Sequence, residues 1–559
     1  MMILPWVLAA LLLVLPTAAP AISTSAPPSA PGLAREAARL LEQTYPGDAP
    51  GAAVLVARGD TVLFRGARGL ADLGTRARVK PDAVFQMASA AKQFAAAGLL
   101  TLVDAGKVSL DDPLSKYVPD FPGGDGITVA QLLDHTAGVK EYTSLRGYLE
   151  GPIASELTTA QMIDVFRHAP RDFPAGTKWS YSNSGYVLVG AVIEAVTGMA
   201  WHAYLDRALF KPLGMRHTGY AGDARWQARQ VRGYTADSGR FVPKHEISMS
   251  QVHASGALVS NLDDLLRWNR ALHEGRVLKP ATYARMIAPA GPAAEVGYGF
   301  GLYTVKVRRA DGLRHGGAIF GFISSLLYLP GPDITVAVLE SDDANGAADN
   351  AETLSRRLAA LALGDPYPDA TPVAVDSAAL AEAEGVYRFA GDVRRVLRVM
   401  DGRLTAQRDG RPRMALLPIG RDDFLYEDGF NRLVLMRDAD GRITSMRHFA
   451  NGDGDGAVGT RTDEPLPSAP VGLRLPRASL ERLAGTYADG RFTLKVTLEG
   501  EALRAQLAGQ PALTLRATSP TEFVVEDTGA TLEFPPGDAP AAQVRIRQNG
   551  RELVLERSP

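Results

Sequence analysis

The 559-residue chain contains no cysteine. That absence excludes disulfides, a thiol nucleophile and thiolate metal sites. It also excludes a lipoprotein anchor, which needs a cysteine at the cleavage point. A charge excess is missing too: 60 Lys+Arg stand against 62 Asp+Glu, for a net charge of −2. A nucleic-acid partner, which would call for a basic surplus or patch, is therefore not expected. The nine histidines form no H-E-x-x-H pattern, and neither a metal nor any other cofactor is expected. No G-x-S-x-G elbow occurs, which argues against an α/β-hydrolase. No glycine-rich phosphate loop follows a strand pattern.

Long apolar runs are confined to the start, from Met1 to Leu15, followed by Pro16-Thr-Ala-Ala-Pro-Ala21. This reads as a signal peptide over residues 1–21 with Ala19-Pro20-Ala21 at the cleavage site, although no Lys or Arg precedes Arg35. The run is shorter than the ~20 residues of a membrane span, and Pro5 interrupts it. A periplasmic or secreted protein without stable membrane insertion is expected, of undetermined oligomeric state.

A Pro/Ser/Ala linker follows over residues 22–32. From 33 to 363 helix and strand patterns mix. Ala52–Ala57 and Thr61–Gly66 read as a strand pair turned at Gly59-Asp60. Ala90 to Asp104 reads as a helix closed by Gly106. Ile323–Leu329 and Ile334–Leu339 form a second strand pair around Pro330-Gly-Pro-Asp333. Strands at both ends with helices between imply an α+β domain whose sheet uses both ends of the segment. Residues 364–375 form a proline-rich linker, and short alternating strands then dominate.

Those strands fall into two units, 376–462 and 476–559, separated by a linker at 463–475. Gly385-Val-Tyr387 matches Gly485-Thr-Tyr487. Asp401-Gly402 with Leu404 matches Glu499-Gly500 with Leu503. Asp423-Phe-Leu425 matches Glu522-Phe-Val524, and Arg442-Ile443 with Asn451-Gly452 parallels Val544-Arg545 with Asn549-Gly550. Each unit has strand-like segments enough for a small antiparallel β-barrel.

Three motifs carry chemistry. In Ser89-Ala-Ala-Lys92, Ser and Lys three apart share a helix face. At a helix start, an oxyanion on Ser89 meets unpaired N–H groups and the positive dipole end. Lys92 can hold a depressed pKa and accept the Ser proton, or polarise another base. S-x-x-K is itself a pattern associated with β-lactamases and penicillin-binding proteins. Taken alone it also describes an N-cap serine beside a solvated lysine. In Tyr181-Ser-Asn183, the two side chains point the same way on an extended turn. Tyr181 is a candidate general base and then acid, with a nearby Lys92 ammonium expected to lower its pKa. Asn183 can hold Lys92 and donate to a substrate carbonyl. In His315-Gly-Gly317-Ala318, glycines let a strand approach a ligand closely. The Ala318 N–H is a candidate oxyanion donor beside that of Ser89, with His315 facing the site. His135, in Leu132-Leu-Asp-His-Thr-Ala-Gly138, reads as a loop-ordering residue.

In this order, S-x-x-K, Y-x-N and H-x-G, the chain resembles the penicillin-recognising serine hydrolases. That family includes class C β-lactamases, D-alanyl-D-alanine carboxypeptidases, D-aminopeptidases and related esterases. Lys107-Val-Ser-Leu-Asp-Asp-Pro-Leu114, Pro212-Leu-Gly-Met215 and Ser255-Gly-Ala-Leu-Val-Ser260 support the resemblance, which covers about residues 35–360. It implies a β-lactamase/transpeptidase-like catalytic domain, an antiparallel sheet with a helical lobe, followed by two lipocalin-like barrels. That layout is most similar to the D-aminopeptidases. It also implies that Ser89 is acylated, that Lys92 and Tyr181 move the proton, and that Asn183 and His315, with Gly317 and Ala318, bind substrate. Water then releases the acyl group. The expected substrate is a small molecule or short peptide with an amide or ester bond.

Class C β-lactamases carry Lys-Thr-Gly where this chain has His315-Gly-Gly. The resemblance therefore favours a D-aminopeptidase or esterase over a β-lactamase or carboxypeptidase. A non-catalytic penicillin sensor or scaffold is the alternative of another class. A loop at Asp527-Thr-Gly-Ala530 is a candidate to reach the site and receive a substrate ammonium.

Overall fold

The computed structural model describes residues 30–558, except 146, 150, 238–239, 344–349, 369–370, 401, 410–412, 428, 453, 468–472, 489–492, 508–511, 526–529 and 549–550. The expected signal peptide, and Asp527 to Gly529 of the candidate loop, lie outside the described residues.

The first element, α1 (Ala30–Thr44), begins inside the expected 22–32 linker. Leu33, Ala37, Leu40 and Leu41 recur at helical spacing and are buried, while Pro31 sits in the first turn, where its missing N–H costs no hydrogen bond. The apolar face, not the proline, decides the conformation there.

Six antiparallel strands form the catalytic sheet. They are β1 (Ala52–Arg58), β2 (Thr61–Arg68), β3 (Tyr303–Val307), β4 (Ala310–Ile319), β5 (Phe322–Leu329) and β6 (Ile334–Glu340). Their order across the sheet is β3-β4-β5-β6-β1-β2, so both ends of the domain meet at its centre. The turn at Gly59-Asp60 closes the Arg58↔Thr61 pair, with Gly59 at φ +56°. Central strands are buried on both faces, which the period-two alternation makes visible. Ala53, Leu55 and Ala57 of β1, with Ala337 and Leu339 of β6, face the helical lobe. Ala52, Val54 and Val56, with Ile334, Val336 and Val338, face α1 and the closing helix Asn350–Leu363.

The helical lobe is built around α2 (Lys92–Asp104) and α3 (Asn183–Thr197), both almost wholly buried. Phe94 of α2 stacks on Trp268 at 4.1 Å, and the Trp268 indole N–H donates to Gln93 Oε1 at 2.8 Å. Gly98 lets Leu205 pack against the helix backbone, since a Cβ there would lie 2.1 Å from Leu205 Cδ2.

The C-terminal third forms two closed eight-stranded antiparallel barrels, from Gly385–Phe389 to Ala457–Thr462 and from Gly485–Ala488 to Arg551–Arg557. Their shared landmarks have one structural cause. The Tyr387 hydroxyl donates to Ala383 O at 2.9 Å, and the Tyr487 hydroxyl to Leu483 O at 2.7 Å. Each tyrosine thereby ties a short leading helix, Ser377–Glu382 or Arg477–Glu481, to its barrel. Gly385 and Gly485 leave room for the Arg461 and Arg557 guanidinium groups, which donate to Glu384 O and Ala484 O. The last landmark was out of step. Arg545, opposite Glu533, occupies the place of Arg447 opposite Val434, not that of Ile443, and Asn549-Gly550 lie outside the described residues. The first barrel packs on the catalytic domain through Phe430, whose ring lies 4.5 Å from the Arg356 guanidinium and meets Tyr367 of the linker edge-on at 5.0 Å, and through Arg308, which donates to Gly452 O. Among the described residues, no single helix is long and apolar enough to cross a bilayer.

Candidate active site

Ser89 stands on a 3₁₀ turn, Ala88–Ala91, that runs directly into α2. The turn is gripped from three sides. The Met87 N–H donates to Leu258 O at 2.8 Å, and Ser324 Oγ of β5 donates to Met87 O at 2.6 Å. Gly317 of β4 lies against the turn so closely that a Cβ there would fall 2.3 Å from Met87 O and 2.7 Å from Ser89 N. Only glycine permits that approach. The β3–β4 pairing ends at Tyr303↔Arg314. From His315 onward the edge of β4 away from β5 runs along the nucleophile turn instead, and Ala318 is exposed there.

Lys92, one turn beyond Ser89, is fully buried. Its ammonium donates to Ser89 Oγ at 3.2 Å, Asn183 Oδ1 at 2.8 Å and Ser255 O at 2.8 Å. It also lies 4.7 Å from the Tyr181 ring centre and 5.3 Å from that of Tyr186. Burial pulls the Lys92 pKa down from 10.5 to about 7, while the Glu141 carboxylate pulls the other way.

Tyr181 immediately precedes the α3 start, its ring 4.7 Å from Lys92 Nζ, with the Ser89 side chain close enough to pull its pKa down. Burial holds the phenol well above its ordinary value, against the smaller lowering effect of Ser89. The expected lowering by the Lys92 ammonium is thus corrected: burial raises the phenol instead, and it stays protonated.

Asn183 is the first residue of α3 rather than part of an extended turn. Ser182 caps the helix by accepting from Gly185 N at 3.0 Å, and the Ser182 N–H donates to His135 Nδ1 at 3.1 Å. His135, at φ +65°, therefore orders the loop before α3. Glu141 completes the helix start. It accepts from Asn183 N at 2.6 Å, Asn183 Nδ2 at 3.0 Å and Ser184 N at 3.3 Å, where a carboxylate also suits the helix dipole. With Nδ2 turned to Glu141, Oδ1 is left to face Lys92. One Nδ2 hydrogen remains for a substrate carbonyl.

His315 is 2% exposed. Its Nε2 pairs with the Tyr298 hydroxyl at 3.1 Å and its Nδ1 with Gly316 O at 2.5 Å. Burial, aided by Lys92, pushes its pKa down to about 3, so the ring is neutral near pH 7. His315 belongs to the wall behind Tyr181, 6.3 Å from it between ring centres, rather than offering a free nitrogen to the cleft.

Glu141 and the Ser255 carbonyl were not singled out from the sequence. Ser255 lay inside a quoted motif, but nothing in its residue type announces a carbonyl aimed at a lysine. Glu141 lies 42 residues from Asn183; the one available signal was an acid just after the Asp134-to-Gly138 loop.

The three motifs thus meet where the sheet adjoins the helical lobe. The Beta-lactamase family model matches residues 38–361, and the chain belongs to that family. It is similar to a D-aminopeptidase of Gluconobacter oxydans, 28% identical over 344 residues, which covers 59% of this chain and 62% of that protein. It is also similar to a D-aminopeptidase of Cereibacter sphaeroides, 29% identical over 493 residues, 81% of this chain and 92% of that one. Among solved structures, the D-amino acid amidase from Ochrobactrum anthropi complexed with D-phenylalanine aligns with TM-score 0.52 and 25% identity, over 60% of this chain and 97% of the amidase. The chain spans about three fifths of the length of the first of these relatives.

Proposed function

We propose that the protein is an exported serine hydrolase that cleaves an amide or ester of a D-configured substrate through an acyl-enzyme on Ser89. One observation carries the chemistry. The buried Lys92 nitrogen has three oxygens around it, and two of them, Asn183 Oδ1 and Ser255 O, can only accept. With a pKa of about 7, much of Lys92 is neutral at working pH. The neutral amine keeps two N–H groups for those two acceptors, and its lone pair then points at the Ser89 hydroxyl.

Lys92 accepts the Ser89 proton as Oγ attacks the substrate carbonyl. The negative charge on the carbonyl oxygen falls between the Ser89 N–H and the Ala318 N–H. The Tyr181 phenol, kept protonated and beside Ser89, protonates the leaving amine or alkoxide and is reprotonated from Lys92. Water then attacks the acyl-enzyme by the reverse proton path. Gly317 brings the Ala318 edge within reach, and His315 with Tyr298 holds the wall behind Tyr181. The names of the relatives, D-aminopeptidase and D-amino acid amidase, support the D-configured amide as substrate class. The neutral His315 wall offers no cation to the carboxylate of a β-lactam. The N-terminal apolar run supports export to the periplasm or medium.

The test is a panel of D-alanine p-nitroanilide, its L-isomer, p-nitrophenyl esters, nitrocefin and a D-Ala-D-Ala peptide. The expected result is turnover of the D-anilide above its L-isomer, abolished in Ser89→Ala. Nitrocefin turnover dominating the panel would overturn the substrate class. No turnover, together with no fluorophosphonate labelling of Ser89, would overturn the hydrolase.

A further inference from the structure

The two barrels share one register, so they can be compared position by position. Tyr387 faces Arg395 as Tyr487 faces Leu494. Arg395 faces Arg408 as Leu494 faces Leu507. Leu416 faces Tyr426 as Leu515 faces Val525, and Leu433 faces His448 as Leu532 faces Ile546. In the second barrel Leu494 and Val525 belong to the apolar core, and the half-buried Leu507 and Ile546 pack against it. In the first barrel the same level carries Arg395, Arg408, Tyr426 and His448. Closing such a barrel therefore does not require the polar set.

That set is organised. The Arg395 guanidinium donates to the Tyr426 hydroxyl at 3.2 Å and approaches His448 Nδ1 at 3.4 Å. It lies 5.6 Å from the Phe389 ring centre, and the Tyr426 and His448 rings meet edge-to-face at 5.5 Å. Arg395 and His448 are half-buried, Tyr426 is buried and Arg408 is exposed at the rim. Neighbouring arginines of this barrel have carboxylates, Arg394 with Asp409 at 2.9 Å and Arg437 with Asp422 at 2.8 Å. Arg395 meets none among the described residues. A half-enclosed guanidinium without a counter-charge is a standing demand for an anion. Below it, Leu404, Leu435 and Met446 pack into the apolar core of the barrel.

We propose that the mouth of the first barrel is a binding site for a small organic carboxylate with an apolar body. The carboxylate takes both Arg395 N–H groups and the Tyr426 hydroxyl, and the body packs on Phe389 and the apolar wall. Phe430 and Gly452, on loops at this same end, touch the catalytic domain, so the occupant sits beside the joint between the two. The site stands independently of the chemistry at Ser89.

The test is titration calorimetry on the full chain, with phenylacetate as probe and phenylacetamide as its uncharged isostere. Phenylacetate is expected to bind at least tenfold more tightly than the amide. Arg395→Leu/Tyr426→Val/His448→Ile, which installs the second barrel's own residues, is expected to fold and to lose at least tenfold in affinity. Ser89→Ala is expected to bind as the unaltered chain does. No phenylacetate binding, equal binding of the amide, unchanged binding in the triple variant, or loss in Ser89→Ala would each overturn the proposal. Should the triple variant fail to fold, Arg395→Leu alone is read by the same criterion.

Discussion

Lys92 is the most expensive residue in the site to keep charged, and replacing it with methionine measures that cost. In the unfolded chain its pKa is near 10.5, and burial lowers it to about 7 in the fold. At 1.36 kcal/mol per pH unit, the difference amounts to about 5 kcal/mol. The sign follows from proton binding. Between pH 7 and 10.5 the unfolded chain holds a proton that the folded chain has lost, so this group makes stability rise with pH across that window. Below pH 7 the whole penalty is present; above 10.5 it is gone. Lys92→Met removes the penalty at every pH. It also strips Ser89 Oγ, Asn183 Oδ1 and Ser255 O of a donor, a loss of about 1 kcal/mol or more each that does not depend on pH. The variant should therefore be as stable as the parent or more so at pH 6, and less stable at pH 10. The swing between the two is expected to be about 4 to 5 kcal/mol. Urea denaturation of both proteins from pH 6 to 10 reads that swing, and other titrations cancel in the difference. A stability difference flat with pH would refute a neutral Lys92, and with it the proposed base.

Two other outcomes follow from the same electrostatics. Glu141→Gln removes the carboxylate that raises the Lys92 pKa and orients Asn183. The acid limb of the kcat/KM profile should move to lower pH while kcat falls about tenfold, equivalent to about 1.4 kcal/mol; a merely structural role would leave the limb in place. Burial holds His253, His273 and His315 down to about 3 and His135 well below its ordinary value. Because the unfolded chain binds protons near 6.5 and the fold does not, stability should fall steeply as pH drops below 6.5. Unfolding at pH 5 should take up about four protons through these rings, as read by the pH dependence of urea denaturation; uptake near zero would contradict their neutral burial.

Much of the fold was legible because its signals are local. The hairpin at Gly59-Asp60 needed only a glycine able to adopt φ +56° between two apolar runs. The two barrels declared themselves by order, with Gly-x-Tyr opening each unit. The physical reason, a tyrosine tying a leading helix to its barrel across an arginine laid over the glycine, was not readable. Its partner Arg461 lies 77 residues from the Glu384 carbonyl. The start of α1 was missed because Pro and Gly at its first turn outweighed the Leu33, Ala37, Leu40 spacing that tertiary packing rewards. The late landmark of the repeats slipped because matching residue types does not fix strand register, and the one-residue register shift between Met436 and Arg437 is invisible in the sequence.

In the site, residue identity was legible and proton location was not. Ser89, Lys92, Tyr181 and Asn183 could be read as partners from motif order, but which of Lys92 and Tyr181 holds the proton depends on desolvation. A lysine ammonium beside a phenol lowers the phenol's pKa only while the ammonium itself survives burial. Here Tyr181, Tyr186 and Tyr298, with His135 and His315, wall off the lysine from water. The same enclosure that lowers the Lys92 pKa to about 7 raises the phenol. The two effects are one effect, and in the proposed mechanism it puts the base on nitrogen and the acid on oxygen. Glu141 then becomes more than a cap for α3. It is the carboxylate that keeps Lys92 from falling further, and so sets the pH at which Ser89 gains its base.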